Sequence, residues 1–326
     1  MSSGRTDNRA RALWYVAAGR AEIREEQLLP PAPGEARVRS LYGALSRGTE
    51  ALVLAGRVPT SEYDRMRAPF MAGQFPFPVK YGYATAGEVE SGASKGRLAF
   101  ALHPHQTRFN IGADALVLLP HDVPPQRAVL AANMETALNA VWDADPPRAA
   151  RIGVIGAGVV GSLTAYLFAR LHAADVTLID IDPARAQVAR ELGLKFSTPA
   201  ALPRDCNPVV HASATAAGLA TALSIAAFEG TVIELSWYGD SEVPVPLGGA
   251  FHSRRLRLVS SQVGHVAPSR RGKYSRHDRL AEAVKLLTDA RLDALLSPPV
   301  QFDELPQKVP HILDAKSGVL CQLIVY

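Results

Sequence analysis

Apolar and polar residues alternate in blocks along the second half of the chain. Apolar runs at 151–155, 176–181, 208–212, 230–235 and 256–259 predict strands, and helical spacing of apolar residues at 160–173, 183–192 and 218–227 predicts helices between them. The first two runs have almost no alternating polar positions, as expected of strands buried on both faces. Strands that alternate with helices form right-handed βαβ units. The pattern therefore predicts an α/β fold with a Rossmann doubly wound parallel sheet.

The remainder of the chain has a different pattern. Strands are predicted at 12–16, 35–42, 84–90, 97–102 and 115–119, a loop at 68–78, helices at 126–143 and 279–290, and a last strand at 318–326. We therefore expect a β-rich region over 1–124, an inserted dinucleotide-binding sheet over 125–264, and a return to the first domain over 265–326.

Composition narrows the class of protein. The chain has 326 residues, 48% hydrophobic and 20% charged, which is typical of a globular protein with roughly two domains. The net charge is +4, and the one dense basic cluster is read as a solvated face because no nucleic-acid docking motif accompanies it. That cluster consists of Arg270, Arg271, Lys273, Arg276 and Arg279. No nucleic-acid partner is expected.

The cysteine count and the N-terminus bear on location. The two cysteines, Cys206 and Cys321, cannot form a framework of several disulfides and fit a reducing compartment. Residues 1–11 lack the apolar core of a signal peptide, and no run approaches the roughly 20 apolar residues of a membrane helix. The expectation is a cytoplasmic protein with no membrane partner.

A glycine-rich turn carries the strongest chemical signal. It follows an apolar strand, opens an apolar helix, and consists of Gly156, Ala157, Gly158, Val159, Val160 and Gly161. In this Gly-x-Gly-x-x-Gly pattern Gly156 makes the tight turn, Gly158 lets backbone amides approach a pyrophosphate, and Gly161 allows close helix–strand packing. The start of the helix adds a positive dipole end. A nicotinamide dinucleotide is the predicted cofactor.

The residues after the second strand of the sheet decide which dinucleotide is favoured. Asp180 stands where a carboxylate accepts hydrogen bonds from the ribose hydroxyls of NAD and repels the extra phosphate of NADP. Asp182 adds negative charge, whereas Arg185 could stack on adenine or bind a phosphate. NAD is therefore favoured, with NADP left possible.

Four segments resemble the medium-chain dehydrogenase/reductase superfamily. They are Leu41–Glu50, Lys80–Gly87, Thr136 with Ala137, and Ser260–Gly264. The resemblance implies a GroES-like β domain into which the Rossmann domain is inserted, and a homodimer formed through the sheet edge near 256–259. It also implies that Thr136 meets the nicotinamide and that Gln262 lies near the carboxamide. The segments around 46–50 and Tyr83 are similar to bacteriochlorophyllide hydroxyethyl dehydrogenases, which implies a bulky substrate.

The chain departs from this superfamily at the zinc ligands. Ser46 occupies the position of the cysteine ligand, Tyr83 that of the histidine and Ala84 that of the following glutamate, and the four-cysteine structural zinc lobe is missing. These residues cannot form a thiolate–imidazole zinc site. The chain is therefore identified with a zinc-independent, alcohol dehydrogenase-like branch, in which no metal is expected.

Hydride transfer to a carbonyl without zinc needs a proton donor. Tyr83 is the first candidate for the acid, and Ser46 and Thr49 belong to the same predicted catalytic group, expected in the cleft between the domains. Filling the space of the lost metal is the other interpretation of Tyr83. His103 and His105 could form a relay or part of a metal site, or be core or surface residues.

Three further positions follow from the predicted elements. Ser213 and Trp237 each follow a strand of the sheet at its carboxyl end, where ligands bind in such sheets, and both are included in the predicted cofactor site. Apolar packing is the alternative for Trp237. Glu135 could act as a base, but an exposed carboxylate that complements a helix dipole is the favoured interpretation.

The sequence thus predicts an NAD(H)-dependent oxidoreductase that exchanges hydride with an alcohol or carbonyl substrate. One alternative is an NADPH-dependent quinone or enone reductase, against which Asp180 argues. The other is a non-catalytic NAD(H)-binding protein that has kept the cofactor site and lost the chemistry.

Overall fold

The computed structural model describes residues 8–326, and contacts between residues divide this part of the chain into two compact units. Unit 1 comprises residues 8–132 and 296–326, and unit 2 comprises residues 133–295. The second unit was expected over 125–264, so it both begins and ends later in the chain than expected. The segment 265–295 belongs with unit 2 because a buried arginine in it bonds to a helix of that unit, as described below.

Seventeen strands occur in residues 8–326. They are β1 (Arg9–Ala17), β2 (Arg20–Gln27), β3 (Glu35–Leu45), β4 (Ala72–Gly73), β5 (Val79–Lys80), β6 (Thr85–Val89), β7 (Leu98–Ala101), β8 (Arg108–Gly112), β9 (Val117–Leu118), β10 (Arg151–Ile155), β11 (Asp175–Ile179), β12 (Lys195–Ser197), β13 (Val209–His211), β14 (Thr231–Glu234), β15 (Arg257–Ser260), β16 (Leu296–Gln301) and β17 (Cys321–Val325).

Eight α-helices occur in the same residues. They are α1 (Arg47–Leu54), α2 (Pro125–Ala128), α3 (Ala131–Ala144), α4 (Val159–His172), α5 (Arg185–Glu191), α6 (Ala216–Ile225), α7 (Arg276–Lys285) and α8 (Leu305–Leu313). None of these helices combines the length and the apolar character that crossing a bilayer requires.

Unit 2 is built on a six-stranded parallel sheet with the order β12-β11-β10-β13-β14-β15. This is the Rossmann order 3-2-1-4-5-6. Its core is apolar because strands such as β10 and β13 are buried along almost their whole length, as parallel strands covered on both faces must be. The carboxyl ends of the strands meet at one edge, so that the segments after Ile155, Ile179, His211 and Glu234 lie near one another.

Unit 1 contains two sheets. The larger has the order β16-β17-β3-β6-β7-β9, with β8 also paired to β3, and the smaller has the order β2-β1-β5-β4. Strand β3 is eleven residues long and pairs with β6, β8 and β17, so it organises the larger sheet. Beneath it lies a core that includes Val38, Val89, Phe109 and Ile111.

The predicted elements of the α/β region are confirmed, and their ends agree to within two residues. Three predictions were wrong in detail. The loop predicted at 68–78 contains the short strand β4. The helix predicted at 126–143 is interrupted between α2 and α3, and the helix predicted at 279–290 starts at Arg276, where Ser275 and Asp278 form a capping box, and ends at Lys285. Sequence analysis did not identify β2, β4, β5, β8, β12, β16, α1 or α8.

Candidate functional site

The glycine-rich turn follows β10 and leads directly into α4. Gly156 has a φ of +103°, and a Cβ atom added to it would lie 2.8 Å from the backbone nitrogen of Ser213. A Cβ on Gly161 would lie 1.9 Å from the carbonyl oxygen of Gly156. Both positions therefore require glycine, because the turn packs directly against the end of β13 and the helix packs directly against the turn.

Gly158 differs from these two glycines. It caps α4 with a φ of −75°, and a Cβ added there would meet no protein atom within 4 Å. Neither the backbone nor the packing of the protein requires glycine at this position. Because Gly158 has no side chain, open space lies beside the first turn of α4, and the amides of that turn have no partners within the helix. The turn fits a pyrophosphate, as the sequence predicts.

Asp180 lies against the same turn. One carboxylate oxygen, Oδ2, accepts a hydrogen bond of 2.7 Å from the amide of Ala157, and Oδ1 accepts one of 2.9 Å from the amide of Asp182. The side chain of Arg185 is mostly buried, with its Nε 3.5 Å from a carboxylate oxygen of Asp182. An acidic group therefore stands next to the predicted phosphate turn, and the nearby arginine has its own carboxylate partner.

A chain of polar side chains connects the ends of β13 and β14. Glu234 Oε2 lies 2.7 Å from His211 Nδ1, and His211 Nε2 lies 2.7 Å from Ser213 Oγ. The Ser213 hydroxyl is also 3.0 Å from that of Thr215, which caps α6 by accepting from the amide of Gly218. Ser213, predicted to belong to the cofactor site, thus connects the buried His211 side chain to the partly exposed segment beside Gly156.

Glu234 is the charged member of this relay. Burial alone would raise the pKa of its carboxyl group, but hydrogen bonds from His211 and Ser236 outweigh burial and hold that pKa below its ordinary value. The Tyr238 hydroxyl donates to the same carboxylate at 3.1 Å. Burial, followed by the charge of Glu234, raises the pKa of Tyr238. Glu234 is therefore an ionised acceptor at neutral pH.

The other predicted cofactor residues of unit 2 occupy separate elements. Thr136 is partly exposed on α3, although most of its neighbours on that helix are buried. Trp237 is half-buried in the segment after β14. Gln262 is exposed after β15, and its side-chain oxygen accepts a 2.7 Å hydrogen bond from the amide of Gly264.

The structure contradicts the favoured interpretation of Glu135 as an exposed helix-start carboxylate. Its side chain is buried and accepts two hydrogen bonds from Arg279, which is itself only 1% exposed. Burial raises the pKa of the Glu135 carboxyl group, and the charge of Arg279 opposes that rise. The expectation of a solvated basic face is therefore also wrong for Arg279, although Arg271, Lys273 and Arg276 are exposed.

In unit 1 the three hydroxyl groups of the predicted catalytic group lie together. Ser46 caps α1, Thr49 lies in the first turn of that helix, and Tyr83 follows β5. The Tyr83 phenol shares hydrogen bonds with the side chains of Ser46 and Thr49. Burial and then the charge of Glu50 raise the pKa of Tyr83 to about 12, while those two hydrogen bonds oppose the rise. Tyr83 is therefore protonated across the neutral range.

Glu50 is a buried carboxylate that sequence analysis did not single out. It is 0% exposed and accepts hydrogen bonds from the Tyr15 hydroxyl at 2.6 Å, from the Ser46 amide at 2.8 Å and from His105 Nε2 at 3.0 Å. Burial and the same carboxylate raise the pKa of the Cys321 thiol to about 12. The only sequence signal for Glu50 was its place directly after Thr49.

The two histidines considered for a relay have different environments. His105 is fully buried against Glu50, and its Nδ1 has no hydrogen-bond partner among the described residues. His103 is a core histidine that stacks on Phe109 with 3.7 Å between ring centroids, and burial lowers its pKa to about 3. Residues 102–105 do not form a strand, so the expected shared face does not arise from strand alternation.

Metal ligands are not grouped in residues 8–326. That part of the chain holds no set of three or more His, Cys, Asp or Glu side chains placed to bind a metal ion. Hydroxyl groups and an alanine stand at the positions that match zinc ligands in the resembling family, and this donor set does not fit a thiolate–imidazole zinc site. Both cysteines are free and buried.

Comparison with known sequences gives one partial match. Residues 152–226 match the model of the family described as ketopantoate reductase PanE/ApbA. This segment runs from β10 to the end of α6 and contains the glycine turn, so the match concerns the first part of the Rossmann sheet. No curated protein sequence matches the chain.

Comparison with solved structures covers almost the whole chain. L-idonate 5-dehydrogenase from Escherichia coli K-12 is similar with a TM-score of 0.79 and 13% identity, over 98% of each chain. A short-chain alcohol dehydrogenase from E. coli CFT073 in complex with NADH gives 0.78 and 13%, over 98% of this chain and 100% of the other. An NADP-bound, putative zinc-binding dehydrogenase from Sinorhizobium meliloti 1021 gives 0.77 and 18%, over 98% and 99%.

At these identities the comparisons show the fold. The chain folds as these alcohol and zinc-binding dehydrogenases do, with a Rossmann sheet and a GroES-like β-rich unit, as the sequence predicts. The fold indicates where a ligand binds in such a sheet. Function has to be inferred from the residues of the sites described above.

Proposed function

We propose that the protein is an NAD(H)-dependent oxidoreductase that transfers hydride between the nicotinamide and an alcohol or carbonyl substrate without zinc. One observation carries the proposal. The turn at Gly158 leaves open space beside the amides of α4, and the carboxylate of Asp180 is bonded to that turn. A neutral or cationic surface would fit many anions, but this pairing of amides with an acid fits a pyrophosphate that is joined to a ribose diol.

The preference for NAD over NADP rests on charge. A 2′-phosphate placed at Asp180 would face an acidic side chain, and Arg185 already lies beside the carboxylate of Asp182. The NADP-bound relative shows that the fold itself accommodates either cofactor. The residues at 180–185 therefore support NAD(H), and an NADPH-dependent quinone or enone reductase becomes the less favoured alternative.

Tyr83 is the proposed proton donor. The nicotinamide would supply or accept the hydride when bound. Tyr83 would hold a proton for the carbonyl oxygen, since its phenol stays protonated at neutral pH and is held by the hydroxyls of Ser46 and Thr49. These three hydroxyls also support a mechanism without zinc, because they are poor ligands for that metal. The structurally similar dehydrogenase described as zinc-binding does not determine what this chain binds.

The experiment is calorimetry with NADH and NADPH, followed by turnover assays on a panel of alcohols, aldehydes, ketones and quinones. We expect NADH to bind at least tenfold more tightly than NADPH, and treatment with a chelator to leave turnover unchanged. Tight NADH binding without any turnover would instead favour the non-catalytic binding protein. Absence of affinity for both dinucleotides would refute the proposal.

The proton donor has its own test. General acids contribute about 10²- to 10⁴-fold to a rate, so Tyr83→Phe should lower kcat for carbonyl reduction by at least 100-fold while the Kd for NADH stays the same. Tyr63→Phe is the matched control, since Tyr63 is a partly exposed tyrosine of the same unit, with its ring tilted against that of Phe75. Full activity of Tyr83→Phe would show that Tyr83 only fills space.

A further inference from the structure

In the relay at the end of β13 and β14, each hydrogen bond can be assigned a donor and an acceptor. Glu234 is ionised and can only accept, so His211 must donate to it from Nδ1. We take His211 as a neutral imidazole, in which the other ring nitrogen, Nε2, carries a lone pair and no hydrogen. In that form the hydrogen atom between His211 and Ser213 comes from the Ser213 hydroxyl, whose oxygen lies 2.7 Å from Nε2.

The second neighbour of Ser213 is Thr215, whose oxygen accepts from the amide of Gly218 at 3.0 Å. Because the Ser213 hydrogen is already donated to His211, Thr215 is the donor in the 3.0 Å contact between the two hydroxyls. Ser213 Oγ thus donates once and accepts once within the protein. A hydroxyl oxygen has two acceptor lone pairs, so one of them is left over.

The unused lone pair of Ser213 Oγ belongs to a residue that lies beside the turn proposed to bind the cofactor. The backbone nitrogen of Ser213 is the atom that a Cβ on Gly156 would strike, at 2.8 Å. Ser213 is only partly buried, whereas the His211 side chain behind it is fully buried. A ligand on the turn would meet the serine oxygen and not the imidazole.

We propose that His211 and Glu234 hold Ser213 as a hydrogen-bond acceptor for one ribose hydroxyl of the dinucleotide. The inference rests on the proposed function and adds a specificity to it. Ser213 contacts the cofactor, while His211 and Glu234 are positioning residues that act through it. An acceptor at this place takes a ligand O–H and disfavours a phosphate oxygen, which has no hydrogen to give.

Gly218 is required by this arrangement. A Cβ added to it would lie 2.1 Å from Ser213 Oγ and 2.7 Å from His211 Nε2. Alanine at this helical position would otherwise be favoured by helix propensity. The absence of a side chain at Gly218 thus leaves the space that the serine hydroxyl occupies.

The test compares NAD⁺ with analogues that each lack one ribose hydroxyl. In the wild-type protein one analogue in contact with Ser213 should bind more weakly than NAD⁺, by about 2- to 10-fold for one neutral hydrogen bond. In Ser213→Ala that difference should vanish for this analogue alone, while analogues that lack a hydroxyl bound by Asp180 keep their penalty. Gly218→Ala should behave as Ser213→Ala does, because the displaced serine hydroxyl can no longer accept. Ser224→Ala, a change of an exposed serine on α6, is the control and should leave every difference intact.

Two outcomes separate the inference from the proposed function. If NAD⁺ binds but Ser213→Ala preserves the penalty for every analogue, the inference is refuted and the cofactor site stands. If NAD⁺ does not bind to the wild-type protein, both are refuted.

The direction of the relay can be measured without any ligand. Long-range ¹H–¹⁵N NMR spectra of the full chain should show His211 as the neutral Nδ1–H tautomer, and His211→Ala identifies its signal. A hydrogen atom on Nε2, in the other tautomer or in the imidazolium ion, would overturn the inference, because Ser213 would then accept from His211 and keep its own hydrogen for the ligand. In Glu234→Gln the amide can offer either its oxygen or its nitrogen to the ring, so the preference for the Nδ1–H tautomer should weaken.

Discussion

Arg279 donates two hydrogen bonds to a single oxygen of Glu135, one from Nε and one from Nη2, each 3.0 Å long. Its third nitrogen bonds to the side chain of Asn139 and to the carbonyl oxygen of His265. One buried guanidinium thereby ties α7 to α3 and to the segment that follows β15. The segment 265–295 is held in unit 2 by this arrangement.

Removing one partner of this pair should be costly. Arg279→Met leaves the Glu135 carboxylate buried without its counter-charge, and breaking a buried ion pair in this way costs about 3–5 kcal/mol. The double variant Glu135→Leu with Arg279→Met removes both charges and should recover much of that loss. Urea unfolding measures both. A single variant as stable as the double variant would contradict the expectation.

A substitution at Gly158 should weaken cofactor binding and leave the stability of the fold nearly unchanged. Because a Cβ there meets no protein atom within 4 Å, Gly158→Ala should change the free energy of unfolding by no more than about 0.5 kcal/mol. The same methyl group would occupy the space proposed for the pyrophosphate, so the Kd for NADH should rise at least tenfold.

The control for this prediction is Gly272→Ala, since Gly272 also has open space around it in unit 2. It should leave both quantities unchanged. Calorimetry and urea unfolding decide, and a Gly158→Ala protein with wild-type affinity would remove the glycine turn from the cofactor site.

Predictability from sequence differed between the two units. In unit 2 the apolar runs of β10 and β11 alternate with helices, and this periodicity directly reflects burial on both faces. In unit 1, most residues of β2 are polar, and only one residue of the strand is buried. The sequence of β2 therefore lacks the alternation of apolar and polar residues that marks a strand. Helix α8 was missed for another reason, since it contains two prolines that normally mark the ends of helices.

Charged pairs were the least predictable feature. Glu135 and Arg279 are 144 residues apart, and no local sequence pattern predicts that these two charged residues are buried together. The relay behind Ser213 had a weak signal, because His211 and Ser213 are two residues apart, a spacing that places side chains on one face of a strand. Glu234 joins them only through the parallel register of β13 and β14.

Glu234 should make stability depend on pH. Its folded-state pKa lies below the ordinary glutamate value of about 4.3, so the carboxylate stabilises the fold above that pH, and the contribution is lost as pH falls through the folded-state pKa. Glu234→Gln lacks this titration. Urea unfolding at pH 6, 5, 4 and 3 should therefore give a smaller decline below pH 5 in the variant than in the wild type. Parallel curves would contradict the prediction.

The edge strand of unit 2 predicts self-association. All four residues of β15 are exposed, including Leu258 at 37% and Val259 at 42%, and an apolar edge strand is a template for pairing with a second strand. We propose that two copies pair there as a homodimer. Light scattering should give twice the chain mass, and Leu258→Lys with Val259→Lys should give a monomer. A monomeric wild type would end this proposal.

Strand β17 has a consequence for the order of assembly. It lies between β16 and β3, so the larger sheet of unit 1 remains incomplete until residue 325 has left the ribosome. Residues 133–295, by contrast, are all synthesised before β16 and β17. Domains can fold as they emerge. We therefore expect unit 2 to mature during translation and unit 1, although most of it is made first, to finish last.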